Sequence, residues 1–184
     1  VTPLGDDKKP SILEKVDDER TLMQKIMKFI PGWRGYRIKE ERRNADRILR
    51  DQIVTRLRQS QDKIQDIRTA VVENEIEEAY TLVESLSSRT EKLISEIEHA
   101  SYGYRPYFDE IHIDKKDLET MLTFDAWFAE NVQAFDQQCD DILMLAEEDA
   151  AEAVGHIKDL RKVVSAMSRK WKERQQVIMG VEVI

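Results

Sequence analysis

Between residues 121 and 146 the chain returns to the same kind of side chain every seven positions. Met121, Phe128, Phe135 and Ile142 recur at heptad spacing, interleaved with Asp125, Val132, Cys139 and Ala146. Alternating steps of three and four residues stay on one face of an α-helix, whereas a strand, with its period of two, would scatter them over both faces. A second seam runs Ala150, Ala153, Ile157, Leu160, Val164, Met167, Trp171 and Ile178. It is out of phase with the first, so the spacing predicts a tight turn at the join, Glu147-Glu148-Asp149.

The same period governs the rest of the chain. Ile12, Val16, Met23, Ile26 and Ile30 predict a first helix, opened by Ser11 with Glu14 as a capping box and stopped by Pro31-Gly32. Leu49, Ile53, Ile64, Ile67 and Val71 form the next stripe. A further run, Val72, Ile76, Ala79, Val83, Leu86, Leu93, Ile97 and Ala100, is offset by one residue. That phase change predicts a turn or kink near 73–75, with Asn74 as N-cap and Glu77 returning the bond. One long bent helix is the rival reading. Asp114, with Ile113 and Leu118 as a hydrophobic staple, opens the helix that carries the heptads. The expected organisation is a flexible arm over 1–10 and one helical-bundle domain over 11–184. Its helices fall at about 11–30, 37–72, 75–100, 114–146 and 150–178.

Composition supports an all-α bundle of long, largely antiparallel helices with coiled-coil-like packing. Only 6 Gly and 4 Pro in 184 residues leave few tight turns, which disfavours β and doubly wound α/β folds. Charged residues reach 36%, as expected for long helices with solvated outer faces. A single cysteine, Cys139, excludes an internal disulfide and a multi-cysteine zinc site. No apolar run is long enough to span a bilayer, and Val1 to Asp7 lacks the pattern of a secretory signal. A cytoplasmic location is expected, and the net charge of −8 argues against bulk nucleic-acid binding.

Few residues suggest chemistry. Glu96 and His99 share a helix face and could hold a metal, as could Glu152 and His156, but bundles that bind two metals need the motif twice with further carboxylates. With so many charges, solvated surface is the simpler reading, so no metal and no cofactor are expected. Cys139 occupies a seam position and reads as core, with Asp140 and Asp141 set to raise its pKa. Asp125 is costly at a seam position unless paired. It could pair with an arginine or lie at an open bundle end; a structural ion pair is the preferred reading, and Arg174, also a seam position, is one possible partner, because a turn near 148 brings the two to similar heights. No phosphate loop, nucleophile elbow, zinc-protease or calcium-loop motif occurs, and a non-enzyme is expected.

Charge and aromatic residues carry the remaining expectations. Arg37, Lys39, Arg42, Arg43, Arg47, Arg50, Arg56 and Arg58 precede an acidic stretch of Glu73, Glu75, Glu77, Glu78, Glu84, Glu91, Glu96 and Glu98. Folding back near residue 74 would set one against the other. The segments 31–37 and 101–113 cluster aromatic and basic residues, as interface hot spots do. Trp33, Arg34, Tyr36, Arg37, Tyr102, Tyr104 and Arg105 are the candidate partner-binding residues. Gly35-Tyr36-Arg37 and Gly103-Tyr104-Arg105 each precede a helical pair, a thin hint of duplication. Residues 30–50, with their aromatic Pro-Gly loop, Gly-Tyr and a Lys-Glu, Arg-Arg and Ala-Asp helix start, resemble uncharacterised bacterial helical proteins. That resemblance implies no known activity and adds no functional residues. The expected function is a non-enzymatic scaffold or protein–protein interaction module whose partner is an unknown protein or a second copy of the chain. Peripheral binding to anionic lipid through residues 20–37 and a carboxylate–histidine metal bundle are the alternatives.

Overall fold

Burial follows the seams. The computed structural model describes residues 12–30, 39–100 and 115–178, and the side chains of 20–30, 46–100 and 119–177. The described residues form α1 (Ile12–Phe29), α2 (Lys39–Glu73), α3 (Glu77–Glu98), α4 (Lys115–Glu148) and α5 (Ala150–Ile178), and no strand occurs among them. Every heptad residue from Met121 to Ala146 is buried, as is every seam residue from Ala150 to Arg174. On α2, Leu57 and Ser60 complete the stripe between Ile53 and Ile64. On α3, Thr90 bridges Leu86 and Leu93. Each fully buried Leu, Ile or Phe contributes about 1.5–3 kcal/mol, so these faces drive the assembly. Val72, expected on the α3 run, is 53% exposed instead: it still belongs to α2, whose buried face is set by Val71.

Cross-helix contacts give the directions. Between α2 and α3, Arg68 meets Glu84 (2.6 Å), Gln61 meets Glu91 (3.2 Å) and Arg58 meets Glu98, an antiparallel hairpin. Between α4 and α5, Asp125 meets Arg174 (2.7 Å) and the Phe128 ring meets Trp171 (5.4 Å), a second one. Across the hairpins the neighbours run parallel. Ser60 and Lys63 of α2 meet Asp136 (3.0 Å) and Asp140 (2.7 Å) of α4, and Glu78 and Glu96 of α3 meet Lys158 (2.6 Å) and Lys172 (3.8 Å) of α5. The four long helices form a ring in the order α2, α3, α5, α4. Both turns lie at one end of it. The starts of α2 and α4, and so the segments 31–38 and 101–114, attach at the other.

The fold reverses at 74–76, where the phase change predicted a break, but the capping differs from the expectation. Asn74 does not open α3. Its Nδ2 donates to the Ala70 carbonyl (2.8 Å), closing α2, while the N–H groups of Glu75 and Ile76 donate to the carbonyls of Val72 (3.1 Å) and Val71 (3.4 Å). This is the Schellman pattern, with Glu75 in the left-handed region (φ 56°). The N-cap of α3 is Ile76, with no side-chain cap. A carboxylate-bearing residue is strained where glycine is not, so Glu75→Gly is expected to stabilise the protein by about 0.5–1 kcal/mol. A urea titration reads this directly, and a loss of stability would refute it. At the other turn Asp149 alone separates the helices, and its Oδ1 accepts from the N–H groups of Ala151 (3.0 Å) and Glu152 (3.1 Å), capping α5.

α1 packs on α4. It buries Ile26, Phe29 and Ile30 and pairs Lys25 with Glu130 (2.9 Å). Within residues 20–30, the described part of segment 20–37, the apolar face is turned onto the bundle, and Met27 is the large apolar residue left exposed. No described helix is long and apolar enough to cross a membrane.

Candidate functional site

Two charged arrangements stand out, one interior and one at the surface. The interior one contains the expected pair: Arg174 Nε donates to Asp125 Oδ1 at 2.7 Å, both side chains fully buried. It also contains a third helix. Arg174 Nη2 donates to Asp46 Oδ1 (2.7 Å), and Arg50 Nε donates to Asp46 Oδ2 (2.9 Å). Through these side chains α2, α4 and α5 meet at one buried ionic cluster. Arg58 already reaches Glu98 in the last turn of α3, and Asp46 lies more than three turns further back on α2. The cluster therefore sits beyond the end of α3, at the end of the bundle opposite the turns. Asp46 was missed in the sequence, although extending the stripe Leu49, Ile53 backwards by one three-residue step lands on it. The cluster ties three helices together in one alignment.

Cys139 is core, as expected. Burial first, then the carboxylates of Asp136 and Asp140, push its thiol from an ordinary 9.0 to about 12, against the opposing charge of Lys63. The second carboxylate is Asp136 rather than the expected Asp141, because Asp136 lies one turn back while Asp141 points to solvent. Lys63 keeps its charge. Burial works against it, but hydrogen bonds to Asp140 and Asp136 outweigh that and hold its ammonium above the ordinary value. A thiol proton held more tightly in the folded state favours folding below pH 9.0, and this contribution is lost as pH rises towards about 12. Native protein at pH 8 is expected to resist a thiol-reactive disulfide reagent that labels the urea-unfolded chain at once; equal labelling rates would place the thiol at the surface.

Glu96 and His99 do not converge. Glu96 accepts from Ser168 Oγ (2.9 Å) and faces Lys172, whereas His99 Nδ1 turns back to the Ser95 carbonyl (2.8 Å). Glu152 and His156 are both exposed. No group of three or more His, Cys, Asp or Glu side chains is placed to hold a metal among the described residues. Trp33, Arg34, Tyr36, Arg37, Tyr102, Tyr104 and Arg105 lie outside the described residues, as do the arm 1–10 and the caps at Ser11 and Asp114.

The surface arrangement is a groove between the parallel helices α3 and α5. Two adjoining depressions of 730 and 640 Å³ share Arg89, Ser165 and Arg169. Their other cations are Lys92 from α3 and Lys158, Arg161 and Lys162 from α5. Ser85, Ser88 and Ser168 add hydroxyls, and among the described residues Val164 is the one apolar side chain and no carboxylate lines either depression. α3 reads as acidic along the chain, but the fold sorts its charges by face. Glu84, Glu91 and Glu98 turn to α2, where Arg68, Gln61 and Arg58 receive them, while Glu78 and Glu96 engage Lys158 and Lys172 towards the groove's two ends. Between those ends, Arg89, Lys92, Arg161 and Arg169 form no ion pair with any described residue. The basic start of α2 is likewise split: Arg58 faces α3, but Arg56 and Lys63 face Asp136 of α4.

No family model, curated protein or solved structure matches this chain.

Proposed function

We propose that the chain is a non-enzymatic helical interaction module that presents the α3–α5 groove to an anionic partner. The observation that carries this reading is the set Arg89, Lys92, Arg161 and Arg169, gathered on one face with no ion-pair partner among the described residues in a chain of net charge −8. Like charges held together repel, and a surface of a stably folded acidic protein has ample carboxylates with which to neutralise them. An anion bound there relieves the repulsion and gives the Arg forks their acceptors. The ionic cluster of Asp46, Asp125, Arg174 and Arg50 fits the non-enzymatic half of the reading, since its charges are engaged in holding helices together.

Heparin, a generic polyanion, tests the groove. At low salt the protein is expected to bind a heparin column despite its net charge, and the double variant Arg89→Glu/Arg169→Glu is expected to pass through. Both positions are exposed, so helicity by circular dichroism should be unchanged. Equal retention of the two proteins would remove the groove as the contact surface. The aromatic and arginine residues Trp33, Arg34, Tyr36, Arg37, Tyr102, Tyr104 and Arg105 are proposed as a second contact surface. The observation favouring it is topological: both segments that carry them attach at the same end of the bundle.

A further inference from the structure

We propose that the groove is a binding site for condensed phosphate, the oligophosphate moiety shared by inorganic polyphosphate and nucleoside polyphosphates; this rests on the reading of the groove as an anion surface. Its donors are already oriented. Arg89 Nη1 donates to Ser165 Oγ at 2.7 Å, reaching across from α3 to α5, and its Nε leans on Ser85 Oγ at 3.4 Å. Ser165 in turn donates to the Arg161 carbonyl (2.9 Å). Hydroxyls therefore position the Arg89 guanidinium without neutralising it. Arg161 Nε is shielded from solvent and has no acceptor, an unsatisfied donor that an entering oxyanion would satisfy as one arm of a bidentate pair.

Shape selects among anions. Arg161, Ser165 and Arg169 are spaced four residues apart on one helix face, so the row spans about 12 Å, with Arg89 and Lys92 along its other wall. A single orthophosphate reaches only part of such a row. An extended acidic peptide sets carboxylates of one side about 6.8 Å apart and needs apolar anchors, for which the lining offers Val164 alone. Grooves for single-stranded nucleic acid add aromatic platforms for the bases to their cations, and no aromatic residue lines this groove among the described residues. A chain of phosphoryl groups carries dense charge, needs no apolar socket and fits a linear row of guanidinium forks.

Calorimetric titration of the full chain in magnesium-free, low-salt buffer tests this. The probes are sodium tripolyphosphate, ATP, AMP, orthophosphate and oligoglutamate. Tripolyphosphate and ATP are expected to bind at least about tenfold more tightly than AMP, orthophosphate or oligoglutamate. Equal affinity for the first two assigns recognition to the phosphate chain alone, and tighter ATP assigns a nucleoside polyphosphate; both outcomes support the site. Arg89→Gln/Arg169→Gln, with helicity retained, should weaken both about tenfold or more, and a variant that binds like the parent overturns the placement. Oligoglutamate binding tightly while tripolyphosphate does not would overturn the oligophosphate assignment and leave the anionic groove standing. Failure of every probe would remove both.

Discussion

Replacing Arg174 by methionine is expected to cost about 3–5 kcal/mol of folding free energy, because it leaves Asp46 and Asp125 buried without the cation they share. Solvation explains the size. A surface pair is worth about 0–1 kcal/mol, since water replaces a lost partner. Arg174 and Asp125 are fully shielded, and Asp46 nearly so, leaving water little access. The companion experiment separates the price of a stranded charge from the value of the pair. Asp125→Leu combined with Arg174→Met should recover part of the loss, because it removes the stranded Asp125 charge while Asp46 keeps its bond from Arg50. Urea denaturation of the single and double variants is the measurement. A single-variant loss under about 1 kcal/mol would mean water reaches the cluster.

Trp171→Ala should cost a comparable amount, about 3–5 kcal/mol, from lost burial and the cavity left behind. Trp171 is fully buried, stands edge-on to Phe128 (5.4 Å, 85°) and lies beneath the Arg174 guanidinium (5.2 Å). Trp171→Phe should behave differently. The indole Nε1 is buried and lacks an acceptor, so removing it eliminates an unsatisfied donor while keeping an aromatic ring against Phe128. The expected cost is below about 1.5 kcal/mol. If both variants lose equally, the nitrogen is bonded to something, such as an ordered water, and the ring's value is not mainly one of shape.

The core was legible because its signal is periodic and local. Apolar steps of three and four residues name one face of each helix, and a shift in phase names a turn. Asp125 and Arg174 could be paired before any coordinates, since equal distances from a turn become equal heights in an antiparallel hairpin. Asp46 escaped because its link to Arg174 crosses between hairpins, where no turn fixes the register. Asn74 was placed at the wrong helix end because the same residue types serve both caps; the left-handed Glu75 decides between them and leaves little trace in composition. The groove was hidden for a third reason. Read along the chain, residues 73–98 are simply acidic. Only the packing of α3 against both α2 and α5 turns Glu84, Glu91 and Glu98 to one side and leaves Arg89 and Lys92 on the other.

Parallel alignment of the two hairpins has a consequence for how the molecule comes together. Each hairpin closes through neighbouring segments and can nucleate alone, whereas the contacts from α3 to α5 join residues some 70–80 positions apart in the chain, such as Arg89 and Ser165 with 76 between their numbers. Those long-range meetings come late, so the walls of the groove face one another only once the two halves have docked. A ligand gripping both walls would then act as a clasp, favouring the assembled molecule over its separated halves in proportion to its occupancy.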